Sequence, residues 1–261
     1  MDEFQYIKSE ITEDVVHLYL NRPEKGNAIN LGIVRELIKA LKMHEDNKSI
    51  RFIVIKGAGK NFCSGADLDW MVKAIGLDYD ENFNEGYQLA ELFYTIFRSH
   101  KIIISAVHGA CIGGGTGIAA ASDFVIVSAD AWFSFSEVKL GLVPATISPY
   151  IIYRSGLHHA KRLMLTGEKI SAEDALQYNL ADEVCSFEKL EDSLKALLHR
   201  LREGGRVAQY TIKHLIRDLI PLQVMDQIKL KTAGIIAEAR ISEEGQEGVK
   251  AFLEKRKPDW K

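Results

Sequence analysis

Glu137 is one of three features in this chain of 261 residues where chemistry could sit. Phe133, Phe135, Val138 and Leu140 flank it. A carboxyl group in apolar surroundings ionises at a higher pH than usual, which suits an acid or base working near neutrality. A solvent-facing turn explains the same residues more plainly, because most Glu side chains are exposed. Two glycine-bearing segments upstream could complement it. Gly113-Gly114-Gly115 does not favour a helix, since each glycine costs up to ~1 kcal/mol against alanine, but it permits unusual backbone angles and close approach. The small residues Thr116 to Ala121 predict a helix behind it. The first N–H groups of that helix would point outward at the positive end of its dipole and suit an oxyanion. A tight turn or close helix–strand packing is the bland alternative. Ser64-Gly65-Ala66-Asp67 reads either as a turn with Asp67 capping a helix, or as a second donor, the Ala66 amide, facing Gly114. Two preorganised amides aimed at one carbonyl oxygen would stabilise negative charge developing there by several kcal/mol, at ~2.7–4 kcal/mol per donor.

Other chemistries fare worse. The triplet does not match G-x-G-x-x-G, no G-x-S-x-G elbow occurs, and the eight histidines have no metal spacing. Cys63, Cys111 and Cys185 are too few and too scattered for a disulfide framework or a zinc site. The net charge of -3 and the absence of interleaved aromatic and basic residues speak against nucleic acid. Lys255-Arg256-Lys257 is the one basic run, either a solvated tail or a contact for phosphates. The acidic start, Met1-Asp2-Glu3-Phe4, has no leader pattern, and no run reaches the ~18 apolar residues of a membrane span. A soluble, cytoplasmic protein without a membrane partner is the expectation.

Each candidate segment ends a strand pattern, where open α/β folds place their ligands. Val15 to Leu20, Ile50 to Ile55, Ile102 to Val107 and Phe124 to Val127 read as strands. Asn30 caps a predicted helix bearing Leu31, Val34, Leu37, Ile38 and Leu41, and Leu89 to Phe97 predicts another. The alternation implies a largely parallel α/β sheet. From about His158 the pattern turns helical, with a capping box at Ser171 and Asp174, a leucine stripe from Leu194 to Leu201, and a long helix from Leu222 to Ala239. The polar run Asp78 to Asn82 reads as a mobile loop.

Taken in order, these segments resemble the crotonase (enoyl-CoA hydratase/isomerase) superfamily. The match runs from Leu20-Asn21-Arg22-Pro23 and Asn27-Ala28-Ile29 through Phe62 to Leu68, His108 to Gly115 and Ser122-Asp123. It continues through Phe135 to Pro144, Leu165 to Glu168 and Ala172 to Ala175, and ends at Ala251 to Lys255. The resemblance implies a crotonase-type (ClpP-like) spiral of ββα units over residues 1–195 and a helical trimerisation region over 196–261, assembled as a homotrimer or homohexamer. It places the amides of Ala66 and Gly114 in an oxyanion hole and makes Glu137 catalytic. Coenzyme A, as part of an acyl-CoA thioester substrate, would lie against Lys25, Ala28, Ser64, Ala66, Asp67, Leu68 and Gly114, with Lys255 approaching it from this or a neighbouring subunit. No metal or separate cofactor is implied.

Hydratases of this superfamily use two glutamates. Glu137 matches the second, but Gly117 stands where the first belongs. Ala145 stands where many hydratases have glycine. Leu140 to Tyr150 looks like bacterial methylglutaconyl-CoA hydratases of leucine breakdown. The resemblance implies an enoyl-CoA hydratase. Its alternatives are a Δ3,Δ2-enoyl-CoA isomerase with Glu137 as sole base, or a non-catalytic acyl-CoA- or RNA-binding relative.

Overall fold

A computed structural model describes residues 4–219 and 225–260. The chain opens with an antiparallel hairpin, β1 (Ile7–Thr12) and β2 (Val15–Leu20). Helix α1 (Leu31–Glu45) then leads to β3 (Phe52–Gly57), which pairs parallel to β2. Helices α2 (Leu68–Ile75) and α3 (Tyr79–Arg98) precede β4 (Ile102–Val107). Next come β5 (Ala110–Ile112), α4 (Gly114–Ala121), β6 (Phe124–Ser128) and β7 (Trp132–Ser134). Helix α5 (Ser148–Thr166), broken at Gly156 by a φ of 73°, is followed by β8 (Lys169–Ser171), α6 (Ala172–Gln177) and β9 (Glu183–Cys185). The rest is helical: α7 (Leu190–Arg202), α8 (Arg206–Leu219), α9 (Met225–Ile241) and α10 (Glu243–Leu253).

The strands form a six-stranded sheet, β1-β2-β3-β4-β6-β9, and a small one, β5-β7-β8. Only the β1–β2 and β7–β8 pairs are antiparallel. The large sheet is covered on both faces, so its strands are apolar throughout. Alternation sorts them: Ile53 and Ile55 join the main core, while Phe52 and Val54 face a second cluster with Leu190, Leu194, Leu197 and Leu198 of α7. Position 195, where the sequence reading ends the core, lies inside α7.

Several expectations need correction. The predicted strand at Ile50 starts at Phe52. The small-residue helix starts at Gly114, so two glycines of the triplet are helical. A Cβ on Gly115 would lie 2.6 Å from Cys63 Cβ, so close packing outweighs propensity there. Strand β1 has no counterpart in the sequence reading, because Ile7 alone among its residues is buried. Of the helix expected over 222–239, α9 covers the part from Met225, and Leu222 to Val224 lie outside the described residues.

The supposed loop at Asp78 to Asn82 is the capped start of α3. Asp78 accepts from the Glu81 amide, and Glu81 accepts from the Asp78 amide. Asn82 is fully buried and donates through Nδ2 to the carbonyls of Leu77 and Asp78 at 3.1 and 3.0 Å. Helix α9 packs along α3, and a Cβ on Gly86 would sit 2.6 Å from Ile236 Cγ2. Removing the Asn82 amide takes the side-chain donor from the half-buried Leu77 carbonyl, while Asp78 O keeps the Asn82 main-chain amide at 3.1 Å; the loss is about 1 kcal/mol. Asn82→Leu is therefore expected to lower the unfolding free energy by that amount, read as a lower urea midpoint, and to speed amide exchange between Gly76 and Glu81.

Candidate active site

The site grows from three backbone segments that share hydrogen bonds at the edge of the small sheet. The stretch after β3 runs beside β5: the Phe62 and Cys63 amides donate to the His108 and Ala110 carbonyls, and the Ile112 amide donates to Cys63 O at 2.9 Å. On its other side, the Ile29 amide donates to Gly65 O at 2.7 Å, and the Asp67 amide to Ile29 O at 2.9 Å. Gly65, at φ 102°, makes the bend between these contacts. Buried Asn27 fixes the third segment, donating to the carbonyls of Ala58 and Asn61 at 2.8 and 2.7 Å while accepting from the Arg22 amide at 2.9 Å.

This ladder consumes the amides of Ile29 and Asp67 and leaves that of Ala66 without an acceptor among the described residues. The Gly114 amide is likewise unpaired there, as expected for the first residue of a helix. Ile29 connects the two. It bridges to Ala66, and its Cδ1 would touch a Cβ placed on Gly114 at 2.8 Å.

Glu137 stands in a 3-10 turn, Ser136–Leu140, closed by Gly141 at φ 63°. Its Oε1 lies 2.9 Å from where a Cβ on Gly113 would be, so the carboxyl group sits beside the residue that precedes the Gly114 amide. The residue as a whole is half-buried, but its Oε2 is sealed off without a partner among the described residues. Burial pushes the pKa up to about 7, overcoming a backbone hydrogen bond that favours the anion.

These three groups line one cavity of about 690 Å³, together with Lys25, Ala28, Ser64, Asp67 and Leu68. Asp67 faces inward. It caps α2, accepting from the Asp69 amide at 2.8 Å, and pairs with Arg22 at 2.7 Å. Burial opposes its ionisation, but Arg22 and the helix amides hold its pKa below the ordinary value. Lys25 is exposed, with its ammonium 3.5 Å from Asp69. Lys255 is the one expected site residue absent from the lining. It lies exposed at φ 54°, and its neighbour Arg256 reaches the wall instead, gripped by Glu247 and Glu254. Cys63 and Cys111 are buried among apolar groups that push both thiols up, Cys63 to about 11, which removes them as nucleophiles.

The sequence reading missed the far wall. Trp70 and Ala74 of α2, Leu89 of α3, Ile236 and Arg240 of α9, and Val249 and Phe252 of α10 complete the cavity. The helix periodicity of 68–75 was available as a signal for Trp70 and Ala74. Nothing local marks Arg240, which joins the site only because α9 packs back on α3. Gly117 does not line the cavity. A Cβ there would lie 2.3 Å from Ile147 Cγ2 and 2.7 Å from Phe93 Cε1, so packed side chains already fill the space of any second acid.

Residues 10–261 match the family model described as Enoyl-CoA hydratase/isomerase. A solved enoyl-CoA hydratase of Shewanella pealeana is 34% identical, superposes with a TM-score of 0.80, and is matched over 99% of this chain and 97% of that one. A trans-2-decenoyl-[acyl-carrier-protein] isomerase of Streptococcus mutans is 30% identical over 98% of both chains. A carnitinyl-CoA dehydratase of Proteus mirabilis is 30% identical over 95% of both. The chain belongs to the enoyl-CoA hydratase/isomerase family, and its fold is that of the crotonase superfamily.

Two outcomes follow. A pKa raised from 4.5 to about 7 means that, between these values, the folded chain holds a proton that the unfolded chain has lost. Stability relative to Glu137→Gln should therefore fall as pH rises from 4.5 to about 7 and level off above, as read by urea denaturation across that range. Gly117→Glu should overpack the core, costing about 1–3 kcal/mol and lowering Tm, without adding a working acid.

Proposed function

We propose that the chain hydrates the Cα=Cβ bond of an enoyl-CoA thioester. The observation that carries this reading is the meeting, in one apolar cavity, of two unpaired amides and one carboxyl poised near neutrality. The Ala66 and Gly114 amides would bind the thioester oxygen, strengthening their hold as charge develops on it. Glu137 as carboxylate takes a proton from water while the water oxygen bonds to Cβ. The double-bond electrons move toward Cα and the thioester, giving the enolate. Glu137 then returns its proton to Cα, completing addition of one water with a single acid–base group. Lys25, Ala28, Ser64 and Leu68 would flank coenzyme A. Methylglutaconyl-CoA is the first acyl group to test, given the resemblance over Leu140 to Tyr150. Assembly as a homotrimer or homohexamer is part of the same reading, and the outward apolar side chains Val207, Ile212 and Leu215 of α8 support it.

The closed space at Gly117 favours a second reading, a Δ3,Δ2-enoyl-CoA isomerase, because shuttling one proton between two carbons needs one base. Mass detection separates them. A 2-enoyl-CoA that gains one water supports hydration; a 3-enoyl-CoA that changes only by solvent exchange supports isomerisation. No turnover across crotonyl-CoA, methylglutaconyl-CoA and 3-enoyl thioesters would refute both. Glu137→Gln is expected to lower kcat by about 10²–10⁴ while leaving coenzyme A binding intact. Full activity in that variant would place the acid–base group elsewhere.

A further inference from the structure

Four of the charged cavity-wall residues are matched or open to water. Asp67 pairs with Arg22, and Arg256 with two glutamates. Lys25 lies near Asp69, and Lys139 is exposed. Arg240 differs. Its side chain is only 12% exposed. Nη1 makes two long contacts, 3.4 Å to Glu85 Oε2 and 3.4 Å to Asn82 Oδ1. Glu85 Oε2 is better engaged elsewhere, accepting from the Trp70 indole at 2.7 Å. The Arg240 Nε and Nη2 atoms meet no acceptor among the described residues, yet they are not among the buried atoms sealed from solvent. The guanidinium therefore leans its paired corner on α3 and leaves Nε and Nη2 over, in a residue that lines the cavity. Burial disfavours its charge more than Glu85 restores it.

We propose that Arg240 makes this cavity a site for acyl thioesters that carry a second carboxylate, bound by the free edge of its guanidinium. The inference rests on the acyl-CoA reading above and names the substrate class of the same site. A guanidinium edge matches a carboxylate with two parallel hydrogen bonds, and a buried cation gains most from such a partner. Placement agrees. The Arg240 guanidinium lies over the Trp70 ring, 5.1 Å from its centroid. Trp70 lies in the first turn of α2, whose extended cap residue Asp67 directly follows Ala66. An acyl chain with its thioester oxygen on the Ala66 amide would share one cavity with Trp70 and Arg240. Leu89, Ile236 and Val249 supply apolar surface for the methylenes between.

Titration calorimetry of the full chain with glutaryl-CoA and hexanoyl-CoA tests this without turnover, since neither has a double bond to hydrate. Glutaryl-CoA is expected to bind about tenfold tighter or more. Arg240→Met should reduce that preference to within about threefold, and Arg240→Lys should restore part of it. Equal or tighter binding of hexanoyl-CoA by the wild-type chain overturns the assignment, even if Arg240→Met fails to fold. Equal weakening of both thioesters in a folded Arg240→Met overturns it too, as does a glutaramoyl thioester binding as tightly as the glutaryl one, which would mean a neutral acceptor suffices. Preferential glutaryl-CoA binding without hydration of any enoyl thioester would refute the hydratase and leave Arg240 in its role.

Discussion

Backbone pairing at the edge of the small sheet governs everything else in this molecule. The segment holding Ala66 is clamped from both sides, by Ile29 and by β5, so the Gly65 carbonyl and the Asp67 amide that flank it are spent on structure. The Ala66 amide is what the pairing leaves over. The Gly114 amide is left over for a different reason, since the first turn of any helix has donors without partners. Neither depends on a side chain, and both are rigid because the segments bearing them are hydrogen-bonded to one another. A donor that need not reorganise when charge appears is worth far more than a mobile one.

The acid is held by a different logic. Glu137 occupies a turn whose apolar neighbours withhold water from its carboxyl group, and that desolvation brings its proton within reach at neutral pH. Gly113 is required beneath it, since any side chain there would strike Oε1. With the space at Gly117 filled, the proposed reaction would ask one group both to take and to give the proton. A donor, an acceptor and a desolvated carboxyl are compatible with adding water or with moving a double bond, and the chain's relatives include proteins named for both kinds of reaction.

Much of this was legible in the residues. Buried strands announced themselves as β-branched runs, and the caps at Asn30 and Ser171 fall where the side-chain chemistry puts them. The same capping chemistry at Asp78 and Glu81 was read as a loop, because a polar run looks solvated when its buried partner surface is remote in sequence. Asn82 is polar yet fully enclosed, and only the carbonyls it satisfies explain why. The glycine triplet shows the converse failure. Propensity argued against helix, whereas contact with Cys63 demanded glycine inside one. The far wall was silent, since Arg240 acquires meaning only from the helix it packs against.

The last helix reaches the catalytic turn through main chain rather than side chains. A Cβ on Gly248 would collide with Leu140 O at 2.2 Å, and one on Gly141 with Glu244 O at 2.5 Å. The close approach of α10 to that turn thus depends on two glycines, one on each side. Val249, Phe252 and Arg256, on the same stretch of chain, form cavity wall. Inheritance can therefore reshape what the cavity accepts by exchanging those three while the placement of Glu137 is passed on unchanged, so that the shape of the pocket and the position of its carboxyl group drift on separate clocks.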